Sequence, residues 1–288
     1  MSKVAIFSVS LVLAFTVMAC GFTFNLPVHK ISTGPSQTEQ IEVMPPDVSV
    51  VELTLAFSAG DLEINPGAGS TLVSGTATFN LDEFKPEVTV DGEKVRIESG
   101  DLELNGIPNF SGDIKNEWDL VLGNTPMNLV INAGAYQGRL EMGELSLKSL
   151  EVNDGAADVQ LEFSEPNQVE MDSFRYTTGA STVKLAGLSN ANFTSMIIRS
   201  GAGEYTLDFS GDLRRDAVVT LESGISQVTI IVPKGTNAIL LFNGGLTNID
   251  YSGDWNKSGS QYLHTGSGPT ITINVDMGAG ELDLRTSS

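Results

Sequence analysis

The chain has 288 residues and a formal net charge of -20, from 36 acidic against 16 basic residues. That balance repels phosphate backbones and anionic headgroups, so nucleic acid and charge-driven lipid binding are excluded as partners. With 30 glycines and 7% aromatic residues, and with Val, Ile, Thr and Leu filling the periodic stretches, the chain reads as all-β, many strands joined by glycine bends.

Lys3 is the only charge in residues 1–19, and an apolar run follows from Val4 to Met18. This is the layout of a secretory signal peptide, too short to favour a spanning helix. The run closes as VMAC, and Cys20 is the only cysteine, so no intrachain disulfide can form. This ending resembles a bacterial lipobox. The resemblance implies lipidation of Cys20, which becomes the mature N-terminus, and an anchor of two or three acyl chains, enough for stable attachment to the bilayer. The expected location is the extracytoplasmic face of the cell membrane. Residues 20–48 carry Pro27, Pro35, Pro45 and Pro46 and no sustained period. They read as a lipidated tether that, if flexible, spans about 30 Å.

Residues 49–125 read as a less regular β domain. Within it VTVDGEKVRI (88–97) is a hairpin, with Asp91-Gly92 at the turn and Val88, Val90, Val95 and Ile97 alternating around it. WDLVL (118–122) is a further strand.

From residue 126 to 288 one short phrase recurs around Gly134, Gly155, Gly179, Gly201, Gly224, Gly245 and Gly278, with Ser58 holding the same place early in the chain. Five residues before each anchor stand Leu53, Leu129, Leu150, Phe174, Met196, Val219, Leu240 and Ile273. Three before stand Leu55, Ile131, Val152, Tyr176, Ile198, Leu221, Phe242 and Val275. Four after stand Leu62, Val159, Val183, Tyr205, Val228, Ile249 and Leu282, with Gly138 the exception. Six after stand Ile64, Leu140, Leu161, Leu185, Leu207, Ile230, Tyr251 and Leu284. Spacing by two on each side of the glycine is strand alternation with one face dry. The glycine marks a bend where a side chain would clash or φ must be positive. The anchors are separated by 21, 24, 22, 23, 21 and 33 residues. A period near 22 with two strand segments per turn predicts an elongated β-solenoid, whose rungs cannot fold singly and are expected to stack in chain order.

PMNLVINAGAYQGRLEM, SLKSLEVNDGAADVQLEF and SGAGEYTLDFSG resemble the bacterial toast-rack family, whose C-terminal part is similar to the β-solenoid of LiaF-type envelope-stress proteins and related adhesins. VELTLAFSAGDLEINPGAG through FKPEVTVDGEKVRIES is similar to the N-terminal domain of toast-rack proteins. The resemblance covers residues 48–288 and implies an architecture, with no catalytic residues to carry over.

His29, in the tether, and His264 are the only histidines, which leaves a Ser-His-Asp hydrolase and a zinc site without ligands of the usual kind. In GAGELDL, Leu282 falls where a calcium-binding β-roll needs aspartate, so no metal and no cofactor is expected. The last interval is long because SGDWNKSGSQYLHTGSG (252–268) is inserted before the final rung. Its Trp255, Tyr262 and His264 are candidate ligand-binding residues for a sugar or peptide, against the alternative that the insertion caps the solenoid end. The function expected is a non-catalytic binding, adhesive or scaffolding module of the cell envelope. Its partners are the bilayer through Cys20 and an envelope protein or glycan. An accessory protein docking on an envelope-stress sensor is the alternative, and a polysaccharide-active enzyme a remote one.

Overall fold

The computed structural model describes residues 28–31, 33–100, 107–110 and 113–287. The expected signal peptide and Cys20 lie outside them. The chain divides into two units. In the first, formed by residues 1–32 and 103–113, β1 (Val28–Ile31) pairs in parallel with β7 (Ile107–Phe110).

The second unit carries the other strands. They are β2 (Gln37–Val43), β3 (Val51–Pro66), β4 (Val73–Phe79), β5 (Pro86–Asp91), β6 (Lys94–Ser99), β8 (Asn116–Leu122), β9 (Met127–Glu141) and β10 (Leu147–Glu162). There follow β11 (Met171–Ala186), β12 (Phe193–Asp208), β13 (Ala217–Pro233), β14 (Asn237–Tyr251), β15 (Trp255–Ser258), β16 (Gln261–His264) and β17 (Thr270–Ser287). All of them belong to one sheet.

The recurring phrase is one rung of a β-solenoid. Each of β3, β9 to β14 and β17 is a single strand of 15–18 residues bent at the anchor. Parallel pairing sets like columns side by side: Leu53 on Leu129, Leu129 on Leu150, Leu150 on Phe174, Phe174 on Met196. Buried turn residues such as Met142, Leu145, Phe163, Leu188 and Phe209 close the remaining side of the core. Asn167, fully buried, stitches one such turn by donating to the carbonyls of Leu147 and Val169 and accepting from the Leu147 amide.

Past the first rung, where Ser58 stands, the anchor is glycine because rungs touch backbone to backbone there. A Cβ on Gly201, Gly278 or Gly245 would stand 2.6, 2.7 or 2.6 Å from the carbonyl oxygen of Gly179, Gly224 or Gly278. None of these anchors has positive φ; the second glycine of the phrase does, at 141° for Gly203 and 135° for Gly280. The first glycine answers close approach alone; the second answers both demands, since a Cβ on Gly203 or Gly280 would stand 1.9 or 1.8 Å from the carbonyl oxygen of Ser181 or Ser226 and the backbone there is mirror-β.

Three expectations change. Rungs do not stack in chain order at the end: β17 inserts between β13 and β14, pairing in parallel with both. The insertion gives the chain enough length to turn back and place its last strand inside the ladder, leaving β14 outermost of the long rungs. Part of the expected tether is also sheet. β2 pairs antiparallel with β4 and buries Ile41 and Val43; two apolar residues between prolines were too weak a period to read. Finally, residue 125 lies in the turn between β8 and β9, and one apolar core runs from Ile41 to Leu284 across it. The boundary there is a change of pairing, because β3 is itself the first rung and sits directly on β9. The 88–97 hairpin forms as β5 and β6, with Val88 opposite Ile97 and Val90 opposite Val95.

Gly201→Ala is expected to destabilise the body by about 1–3 kcal/mol through overpacking, lowering Tm by about 2–4 °C per kcal/mol in a unit of this size. Gly259→Ala, at a turn glycine with no heavy atom within 4 Å of the added Cβ, is a space control carrying only its positive-φ strain. Thermal melts followed by circular dichroism check both.

Candidate functional site

Of the residues singled out in the sequence, Cys20 lies outside the described residues. The other three lie together in a hairpin. β15 pairs antiparallel with β16, and β16 with the first leg of β14, setting Tyr262 opposite Leu240 and His264 opposite Ala238. Trp255, Tyr262 and His264 are only 3, 3 and 2% exposed. His264 Nδ1 lies 2.7 Å from the Thr236 carbonyl and Nε2 3.1 Å from Thr286 Oγ1. Nδ1–H donates to the carbonyl, and Nε2 is engaged by the hydroxyl. Trp255 packs edge-on to that ring at 5.2 Å and donates from Nε1 to the Arg285 carbonyl at 3.2 Å. These side chains form a plug over the end of the core. The expectation of an aromatic ligand-binding surface here is corrected by their burial: with no open ring face, nothing can stack on them.

A different surface has the geometry of a site. On the second leg of the rungs, outward positions three and five after the anchor form two rows. One runs Asp61, Gln137, Asp158 and the other Glu63, Arg139, Gln160, on β3, β9 and β10. β8 extends both rows on the far side of β3, placing Glu117 opposite Asp61 and Asp119 opposite Glu63, and β4 adds Thr78 and Thr76. These side chains line a groove of about 550 Å³ where parallel pairing gives way to antiparallel.

Two pairs of like charges thus stand directly opposite one another on β3 and β8, an arrangement that weakens a sheet. Glu117 is relieved by Lys115 at 3.1 Å, and Glu63 accepts from Asn65. Arg139, though in register with Glu63, makes no ion pair among the described residues. Among the described residues, no three His, Cys, Asp or Glu side chains converge closely enough to hold a metal ion. The carboxylates are spread along a face at the inter-strand spacing of about 4.8 Å. Such a surface offers several acceptors and one guanidinium donor to an extended ligand rich in hydroxyl or amino groups.

Beneath the groove lies the exception in the apolar columns. Gly138 sits between Leu62 and Val159 in register, and a Cβ on it would come 2.8 Å from Tyr136 Cε2. The Tyr136 ring occupies the space that a column side chain fills elsewhere, edge-on to Phe57, which in turn packs edge-on to Trp118. Nearby, Tyr176 donates to Asp154 Oδ2 at 2.7 Å. Burial raises both phenols above the usual tyrosine range, and the charge of Asp154 adds to it. Both hydroxyls therefore stay protonated at neutral pH.

The repeat register already aligned Asp61 with Gln137 and Asp158, and Glu63 with Arg139 and Gln160, so half of the groove was within reach of the sequence. Glu117, Asp119, Thr76 and Thr78 were not, because β8 and β4 lie outside the repeat.

The family model described as the N-terminal domain of toast_rack (DUF2154) matches residues 32–173 and 167–231. The chain belongs to the toast-rack family. No curated protein matches it. Among solved structures, the toast-rack chain is similar to a putative cell adhesion protein from Clostridium sporogenes (19% identity, TM-score 0.49, covering 88% of this chain and 100% of that one). It is also similar to a putative adhesin from Bacteroides fragilis (10% identity, TM-score 0.39, 88% and 99% covered). A third is a putative lipid binding protein from Parabacteroides distasonis (11% identity, TM-score 0.38, 90% and 100% covered).

If Trp255 is a plug in this toast-rack body, Trp255→Ala removes a buried ring and costs about 3–5 kcal/mol. Amide hydrogen exchange should then quicken first in β14 and β17, measured against the unaltered chain.

Proposed function

We propose that this toast-rack chain is a lipid-anchored protein of the extracytoplasmic face of the cell membrane. Its rigid β body acts as a non-catalytic binding or adhesive module of the envelope. The observation that carries the binding role is the groove built by β4, β8, β3, β9 and β10. There opposed carboxylates are retained at a cost to the sheet, beside an arginine left without an ion pair. Five carboxylates, two glutamines, two threonines and Arg139 suit an extended polyhydroxylated ligand, and an envelope glycan is the class that fits. Because the groove residues are held on strands of a ladder packed from end to end, the surface is preformed and little ordering is needed on binding.

Two experiments test it. Cys20→Ser should move the protein from the membrane to the soluble extracytoplasmic fraction; a membrane-retained variant would overturn the anchor. On an array of envelope glycans, the detergent-solubilised full chain should give a signal that falls about tenfold or more in Arg139→Ala and Asp61→Asn, as expected for loss of a charged hydrogen bond. Unchanged signals would sink the groove assignment, and release of new reducing ends from the glycans would replace binding by catalysis.

A further inference from the structure

Seven of the eight rungs bury their apolar columns; β14 does not. On β17, Leu282 and Leu284 are fully buried, and on β13 so are Val228 and Ile230. Their neighbours in register on β14 are Ile249 and Tyr251, of which Ile249 is half-buried and Tyr251 is 46% exposed. Leu246, at the bend, is 87% exposed. The reason lies in the pairing. β16 covers β14 only over Ala238–Leu241, so beyond the bend residues 244–251 have a strand neighbour on the β17 side alone among the described residues. Thr247 Oγ1 is buried there with no hydrogen-bond partner.

Natural sheets blunt such an edge with lysine, proline or a bulge. GGLTNIDY has neither lysine nor proline and a single charge, Asp250, and its register with β17 runs regularly from Leu246 to Tyr251. The inward side of the edge presents Thr247, Ile249 and Tyr251. The outward side presents Asn248 and Asp250, next to Glu281 and Asp283 on β17.

We propose that the second leg of β14 is a docking edge for an extended segment of a partner protein in which apolar residues alternate with Lys or Arg. The added strand would complete the ladder by backbone hydrogen bonds, lay its apolar side chains over Ile249 and Tyr251, and set its cations against Asp250 and Glu281. A second copy of this chain is disfavoured, since edge-to-edge pairing would bring Asp250, Glu281 and Asp283 of both copies together in a protein of net charge -20. This surface is separate from the groove and does not depend on the glycan reading.

The test uses the detergent-solubilised full chain and a fluorescent heptapeptide of alternating Lys and Val. Anisotropy should report binding. Amide exchange should slow in residues 244–251, and the double variant Asn248→Lys, Asp250→Lys should bind about tenfold more weakly. Both substituted positions are exposed, so folding is retained and can be checked by an unchanged melt. Arg139→Ala should bind as well as the unaltered chain. The proposal is overturned if the peptide does not bind, or binds without slowing exchange in 244–251. It is also overturned if the double variant binds equally, or if the chain alone sediments as a dimer that the double variant abolishes.

Discussion

Neighbouring rungs of this ladder meet backbone to backbone at their bends. At the bends of β12, β17 and β14 the adjoining rung's carbonyl comes so near that Gly201, Gly278 and Gly245 have no room for a Cβ. This contact sets the position of the bend, the bend sets the register of both legs, and the register decides which side chains meet in the dry interior. A side chain at the anchor would force neighbouring rungs apart just where the ladder has no side chains to absorb the change. Other elements bend to this requirement. Tyr136 folds over Gly138 instead of disturbing the column, and the second glycine, at positions 203 and 280, takes a positive φ to carry the chain into its second leg.

A ladder of this kind has two faces and two ends, and they are treated differently. The interior face is uniform, because every rung must satisfy its neighbours on both sides. The outward face has no such obligation, so its composition is free to vary. The groove uses that freedom to set carboxylate opposite carboxylate twice on β3 and β8, as Glu222 and Asp276 or Asp250 and Asp283 are set elsewhere on the ladder. The ends are the expensive places, since an open rung exposes both apolar surface and unpaired backbone. The hairpin of β15 and β16 covers one half of the C-terminal end with Trp255, Tyr262 and His264, and the second leg of β14 is left as a free edge.

The path of the chain explains that asymmetry. Because β17 enters the ladder between β13 and β14, the strand that comes last in sequence is buried, and the one before it becomes the edge. The hairpin must then leave β14 at Tyr251 and return to its first leg at Ala238, which it can reach with four residues of pairing and no more. A buried C-terminal strand is also protected from fraying, since it gains neighbours on both sides.

Much of the fold was legible in the sequence, and for a physical reason. Columns spaced by two around a recurring glycine report burial of one face and backbone contact at the bend, and both are local consequences of stacking identical units. The all-β class, the rung, its inward residues and the 88–97 hairpin could therefore be read directly. Half of the groove could also be read, because Asp61, Arg139 and Asp158 share the repeat register. What the sequence could not decide were pairings without a local signature: β17 entering ahead of β14, β2 joining β4, β8 setting Glu117 and Asp119 beside β3, and Trp255, Tyr262 and His264 turning inward. Each depends on which strands become neighbours, a choice made by the free energy of the whole ladder. A long insertion reads the same whether it carries a ligand-binding loop or lets the chain double back, and only the tertiary structure distinguishes the two.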